Sequence, residues 1–322
     1  MDPGVYMLHC VVYLSMHNYG VQLLTPPPPW SYLRTFQVQH CLRDWRALGD
    51  CQRIIQHSPE GSRYFAVAVN SEGLLAVTDG GNNCVQLLTK EGTLVQTIGK
   101  GVFGGGFLYS VVYHLYAGTL VGVAFDGKGD VWVSTGLSGK VVKLSQDGRL
   151  LRTIQHAGSE RDSLYPTGVS VSPENRIYIC DLGKHRITVH DEDGKFLFDF
   201  GSYGTGLWCF NEPQDLAFGS DGLVYVTDTE NERVCVWSKE GTFVRYFSTK
   251  YAPLHIAATG DGHVLISSSC VIMVYTLKGK LVHEFGKKGY DPGEFHKPLG
   301  ICVDDTGLVF VADRSNKRVQ VF

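Results

Sequence analysis

The chain has 322 residues, a net charge of −3, 43% hydrophobic residues and 19% charged ones. That is length for one large domain or two ordinary ones, with too much apolar character for a disordered chain. The near-neutral charge excludes a protein coated along its whole surface by nucleic acid, while leaving room for a local basic patch.

Nine cysteines stand at 10, 41, 51, 84, 180, 209, 235, 270 and 302. No two are spaced as C-x-x-C, so no zinc ribbon, RING or B-box can be written. Several lie inside apolar runs such as "VCVW" and "ICVD". This fits buried, reduced thiols and predicts a cytoplasmic protein.

In chain order, residues 1–50 come first and remain unassigned. The apolar stretch Val5 to Leu14 is interrupted by His9 and is too short to span a bilayer, so neither a signal peptide nor a membrane helix is expected. Residues 25–30 read "TPPPPW", a polyproline stretch. "QRIIQHSPEG" at 52–61 then resembles "LRTIQHAGSE" at 151–160.

From Asn70 onward one unit recurs. A strand, a polar turn and a second strand start at Asn70, Asp126, Ser172, Gly219, Gly260 and Asp304. A further hairpin follows five of them, as in "KEGTLVQTI" and "EDGKFLFDF", and an inner strand such as "PQDLAFG" or "PLGICVD" precedes most. The hairpin glycines Gly92, Gly148, Gly194, Gly241 and Gly279 are spaced by 56, 46, 47 and 38 residues. Four strands in about 40–50 residues make a propeller blade. Six copies predict an all-β, six-bladed propeller over 51–322. The first spacing is long because of an aromatic, apolar insertion at 108–120. The sixth copy stops after its third strand, so Gln52 to Gln56 is expected to pair with Arg318 to Phe322 and close the ring.

Asp79, Asp181, Asp228 and Asp313 recur at one repeat position, with Asn82, Asn231 and Asn316 three later and Arg186, Arg233 and Arg318 two beyond. An Asp that accepts backbone N–H bonds, an Asn tolerant of left-handed φ and a paired Arg predict turn stabilisation, not catalysis. The second blade has Thr135, Ser138 and Lys140 there, and the fifth has a shortened "SSSC" turn. Both blades are expected to be looser.

These repeats, most fully "PQDLAFGSDGLVYVTDTENERVCVW" and "PLGICVDDTGLVFVADRSNKRVQVF", resemble the NHL repeat. With the linker "EFGKKGYDPGEFHKP", the chain is most similar to the C-terminal propeller of the TRIM-NHL (tripartite motif) ubiquitin ligases. The resemblance implies the target-binding half of such a ligase. The RING, B-box and coiled-coil modules that precede the propeller in that family are not found here, so no enzymatic activity is expected of this chain alone.

Function then rests on the loops where strand two meets strand three and strand four meets the next blade, which share one face of a propeller. Basic charge gathers there on blades five and six, at Lys250, Lys287, Lys288, Lys297, Arg314, Lys317 and Arg318, with Tyr251, Tyr290 and Phe295 interleaved. The "DTENER" loop of blade four is net −2. A protein substrate or adaptor is the expected partner. Single-stranded RNA is the alternative, since cations neutralise phosphates, aromatics stack on bases, and some members of the family bind RNA this way. The chain is expected to be monomeric in isolation, away from membranes and without a cofactor. Related propellers also include metal-dependent lyases and lactonases. Of the inner-strand positions that would carry ligands, only Asp215 and His255 could bind a metal, short of the usual three. A metal-dependent hydrolase or lyase is therefore a second alternative.

Overall fold

Alternating apolar residues at period two, punctuated by tight turns, fold here into six antiparallel sheets of four strands each. This architecture comes from a computed structural model, which describes residues 45, 48–56, 59–103, 121–136, 138–159 and 162–322. The chain divides into two units, Met1–Leu42 and Arg43–Phe322. The polyproline stretch and the 108–120 insertion lie outside the described residues. No helix among the described residues is long and apolar enough to cross a membrane.

Blades 1 to 5 run in sequence order over 64–98, 123–154, 166–200, 213–248 and 256–285. Blade 6 takes its inner three strands, Pro298–Val303, Val309–Asp313 and Arg318–Val321, from one end of the chain and its outer strand, Arg53–Ile55, from the other. The register pairs Arg53 with Val321, Ile54 with Gln320 and Ile55 with Val319. A side-chain contact confirms the placement of this outer strand. A Cβ on the hairpin glycine Gly148 would lie 3.4 Å from Ile98 of the preceding blade, and one on Gly92 would lie 3.0 Å from Ile55. Ile55 thus occupies, against blade 1, the place Ile98 occupies against blade 2. Trp45 and Leu48 are also buried, against the core of blades 5 and 6. The Trp45 indole donates to Asp261 over 2.8 Å, and the His283 ring donates to the Leu48 carbonyl over 2.5 Å.

Hydroxyls stitch neighbouring blades at the ring's inner wall. Strand two of several blades carries Ser or Thr one residue before the position of the repeat Asp. Thr227 accepts from the Asp215 N–H at 2.9 Å and donates to the Leu254 carbonyl of the next blade at 2.9 Å. Ser267 does the same between the His255 N–H and the Leu299 carbonyl, at 3.1 and 2.6 Å. Ser134 links the Gly122 N–H to the Thr167 carbonyl. The wall is tight: a Cβ at Gly168 would lie 2.6 Å from the Asp215 Cα, and one at Gly300 would lie 2.4 Å from the Ala66 Cα.

Buried Phe65 and Leu299 pack with partly buried Leu254 near the start of the inner strands. The inner strands also line a cavity of about 340 Å³, apolar except for residues such as Asp215 and His255.

Candidate functional site

The repeat Asp, Asn and Arg build a clamp that fixes the loop entering each blade. In blade 4, Asp228 is fully buried. One carboxylate oxygen accepts the Asn211 backbone N–H at 2.6 Å. The other accepts Asn231 Nδ2 at 2.8 Å and Arg233 Nε at 2.6 Å. The rest of the guanidinium donates to the carbonyls of Thr205, Gly206 and Cys209 at 3.1, 2.8 and 2.9 Å, and Asn231 also donates to the Gly204 carbonyl at 3.0 Å. All three nitrogens of the planar fork donate, in four bonds, which suits Arg and not Lys.

Blade 6 repeats the clamp bond for bond. Asp313 takes the His296 N–H at 2.8 Å, Asn316 Nδ2 at 2.7 Å and Arg318 Nε at 3.1 Å. Arg318 then donates to the carbonyls of Tyr290, Asp291 and Glu294, each at 2.8 Å. Blade 3 has a more open version, in which Arg186 is shared among Asp181, Asp162 and Asp199. In blade 1 Asp79 holds Ser62, Asn82 and Gln86 in place of an Arg. Blade 2 substitutes a hydroxyl: Thr135 Oγ1 accepts the Lys140 N–H at 3.2 Å and contacts Ser138 Oγ at 2.5 Å. That turn is closed by hydrogen bonds despite lacking the carboxylate. The hairpin turns of blades 4 and 6 are single 3₁₀ turns, Thr229–Asn231 and Arg314–Asn316, ending in left-handed Glu232 (φ 50°) and Lys317 (φ 53°).

The clamped loops 202–213 and 287–298 therefore share one skeleton. Phe210 and Phe295 are each wholly buried at the same place in it. Each ring seats against a glycine with φ near 90°, Gly201 or Gly286, where a Cβ would come within 2.4 or 2.5 Å of the ring.

This geometry corrects the binding-face residues drawn from sequence. Phe295 is fully buried and Arg318 is 7% exposed, both consumed by the clamp, so neither is offered to a ligand. Lys250 is exposed but pairs with Glu284 at 2.7 Å and lies over the Tyr251 ring. Lys287 pairs with Glu294 at 3.0 Å. The Arg314 guanidinium lies over the Phe65 ring, 4.4 Å from its centre. Lys288, Lys297 and Lys317 are exposed, as are Tyr251 and Tyr290. Three of the seven cations of the basic sector, Lys250, Lys287 and Arg318, are thus matched by carboxylates of the chain itself.

The aromatic residues that sequence reasoning missed lie on loop 202–213. Trp208 is 67% exposed, Tyr203 70% and Leu207 49%. Tyr203 packs tilted against His185 of blade 3, with ring centroids 4.8 Å apart, and His185 Nδ1 accepts the Glu212 N–H at 3.0 Å. Burial depresses the His185 pKa, keeping the ring neutral in that role. Around them Glu230 and Glu232 are exposed and Glu212 is half-buried.

In the channel wall His255 Nδ1 lies 3.1 Å from an Asp215 oxygen that also accepts the Ile256 N–H at 3.2 Å, while Leu216 N–H donates to the other oxygen at 2.9 Å. The carboxylate is thus satisfied by its own strand and its neighbour. Among the described residues no group of three or more His, Cys, Asp or Glu could hold a metal ion. Burial raises the thiols of Cys180, Cys235 and Cys302 well above their usual range and that of Cys84 to about 11, which removes their nucleophilic character.

Comparison with known proteins matches the NHL repeat at residues 164–189, 210–237 and 295–322. The chain is 27% identical over 127 residues to Protein brain tumor of Drosophila melanogaster, covering 38% of this chain and 12% of that protein. It is 63% identical over 38 residues to Protein lin-41 of Caenorhabditis elegans, 12% of this chain and 3% of that one. It is 53% identical over 38 residues to E3 ubiquitin-protein ligase TRIM71 of Xenopus tropicalis, 12% of this chain and 5% of that protein. The chain thus spans only a small part of these relatives. Among solved structures, a streptogramin B lyase superposes with a TM-score of 0.60 at 16% identity, covering 84% of this chain and 96% of that one, a likeness of fold alone. The chain is an NHL-repeat β-propeller, similar to the TRIM-NHL proteins.

Proposed function

We propose that this propeller is a recruitment module of the tripartite-motif type, which holds a protein partner on its loop face and carries no reaction itself. The partner is taken as a substrate or adaptor of the ubiquitin pathway, a reading that rests on the kinship with TRIM-NHL proteins. The observation that carries it is the pairing of rigidity with exposed apolar surface. Trp208 stands largely exposed on a loop pinned by the buried Asp228–Arg233 clamp. A pre-ordered aromatic anchor loses little entropy on binding and is the commonest kind of interface hot spot.

Single-stranded RNA is the second reading, favoured by Lys288 and Lys297, which are exposed beside Tyr290 and make no ion pair among the described residues. The two readings differ in salt dependence. RNA affinity falls steeply with salt as phosphate contacts release counterions, whereas a protein partner held by buried anchors responds mildly. Titrating the purified chain with a random single-stranded RNA pool at about 50 and about 200 mM salt separates them. Weak binding at low salt that vanishes at the higher salt is expected. Submicromolar binding that is lost on Lys288→Glu with Lys297→Glu would overturn the protein reading. For the metal-dependent alternative, stoichiometric calcium or zinc lost on His255→Ala would be the supporting result.

A further inference from the structure

The geometry points to the blade 3–4 sector of the loop face as a docking surface for a basic peptide segment, whose Arg or Lys side chains pack on Trp208 and Tyr203 between three unpaired carboxylates. This deepens the recruitment reading and rests on it.

Four observations converge. First, Leu207, Trp208 and Tyr203 all stand exposed on one short loop, and large apolar side chains exposed close together in the chain mark an interaction site more often than a scattered surface residue does. Second, the patch does not owe its position to chance mobility. Asn231 and Arg233 hold the backbone of 204, 205, 206 and 209, and the Glu230 N–H donates to the Asn211 carbonyl at 3.1 Å. The same turn that carries Glu230 and Glu232 therefore carries the tryptophan loop. Third, Glu212, Glu230 and Glu232 make no ion pair among the described residues. The nearby cations are already engaged: Arg233 by Asp228, and Arg186 and Lys184 by Asp162. Burial first, and then the charge of Glu230, raise the Glu212 pKa. Fourth, the matched loop of blade 6 has the opposite sign at equivalent places, Lys297 for Glu212 and Lys317 for Glu232, with Pro292 and Gly293 in place of Leu207 and Trp208. The skeleton needs neither the tryptophan nor the carboxylates.

Tryptophan is the best aromatic partner for a cation, and carboxylates beside it favour Arg, whose plane can stack and hydrogen-bond together. An acidic segment or a nucleic acid would meet uncompensated negative charge here. The occupant is thus a peptide bearing Arg or Lys with apolar residues between them.

The test uses the purified chain and two fluorescein-labelled eight-residue peptides, one alternating Arg and Leu and one alternating Glu and Leu. Anisotropy is measured at low and near-physiological salt. The basic peptide is expected to bind and the acidic one not. Trp208→Ala should weaken binding about tenfold, Glu230→Gln with Glu232→Gln should weaken it further, and Trp208→Phe should restore part of the loss. Lys288→Glu with Lys297→Glu should not weaken it. Thermal midpoints of all variants should match the parent, since each residue is exposed. Absence of binding, equal binding of both peptides, or indifference to Trp208→Ala would overturn the inference. So would a self-associated parent chain that becomes monomeric on Trp208→Ala, which would assign the surface to a second copy. Failure here, with a weak and salt-labile RNA titration, sinks this site and leaves the recruitment reading standing.

Discussion

Between blades 3 and 4, Leu207 and Trp208 stand out from a clamped loop; between blades 5 and 6, the same two positions hold Pro292 and Gly293. The backbone bonds around them are matched. The Gly204 N–H donates to the Phe210 carbonyl at 3.0 Å and the Gly289 N–H to the Phe295 carbonyl at 3.1 Å. The Phe210 and Phe295 N–H groups return to Ser202 and Lys287, both at 2.8 Å. What differs is the surface: Glu212 against Lys297, Glu232 against Lys317, Tyr203 against Lys288. The comparison separates two tasks that one sequence segment performs. Residues that repeat hold the loop, and residues that do not repeat are available for recognition.

The sharpest way to break that separation is to cut the clamps. Asp228→Ala leaves the Arg233 guanidinium, 8% exposed, without its carboxylate, and Asp313→Ala does the same to Arg318. Removing one partner of a buried pair costs about 3–5 kcal/mol. Chemical denaturation should show similar losses for the two variants. A loss below about 1 kcal/mol in either would mean that its loop is held by something other than the clamp.

A smaller effect comes from pH and concerns blade 3, which flanks the acidic sector. His190 is wholly buried, with Nδ1 donating to the Gly194 carbonyl and Nε2 accepting from the Thr188 hydroxyl, each at 3.2 Å. Burial lowers its pKa from 6.5 to about 4. The unfolded chain therefore binds the proton more readily between these two values. The stability of neutral His190 is complete above 6.5, declines as pH falls towards 4 and is level below that. Lowering the pH from 7 to 5 should remove about 2 kcal/mol through this group. His190→Gln should flatten that part of the profile, and an unchanged slope would show that other groups set it.

The ring was legible in the sequence because hairpin glycines, the Asp-x-x-Asn-x-Arg turns and alternating strands repeat together. The closing strand was legible through one echo, "QRIIQH" against "LRTIQH". The loop face was read less well, for a definable reason. Residue type alone marks Phe295 and Arg318 as ligand-facing, although each stands at the repeat position of a structural residue, Phe210 and Arg233. A side chain spent on the clamp cannot also face a ligand. Charge does not single out Trp208, because its loop carries little. The signal lies in the alignment of the two loops, since Pro292 and Gly293 show that no large side chain is needed there for folding. The hydroxyl stitches at Thr227 and Ser267 were visible as Ser or Thr near the end of strand two, but their partners lie on the next blade and emerge only once the ring is built.

The central claim is that a protein occupies the blade 3–4 sector of the loop face. The most direct measurement places p-benzoylphenylalanine singly at Trp208, at Tyr290 and at Val95, an outer-strand residue that is 57% exposed. Each chain is photo-crosslinked in cells and the adducts are treated with nuclease. The account predicts protein adducts that survive nuclease at position 208, fewer at 290 and none at 95. Adducts that disappear with nuclease, or that form equally at all three positions, would contradict it.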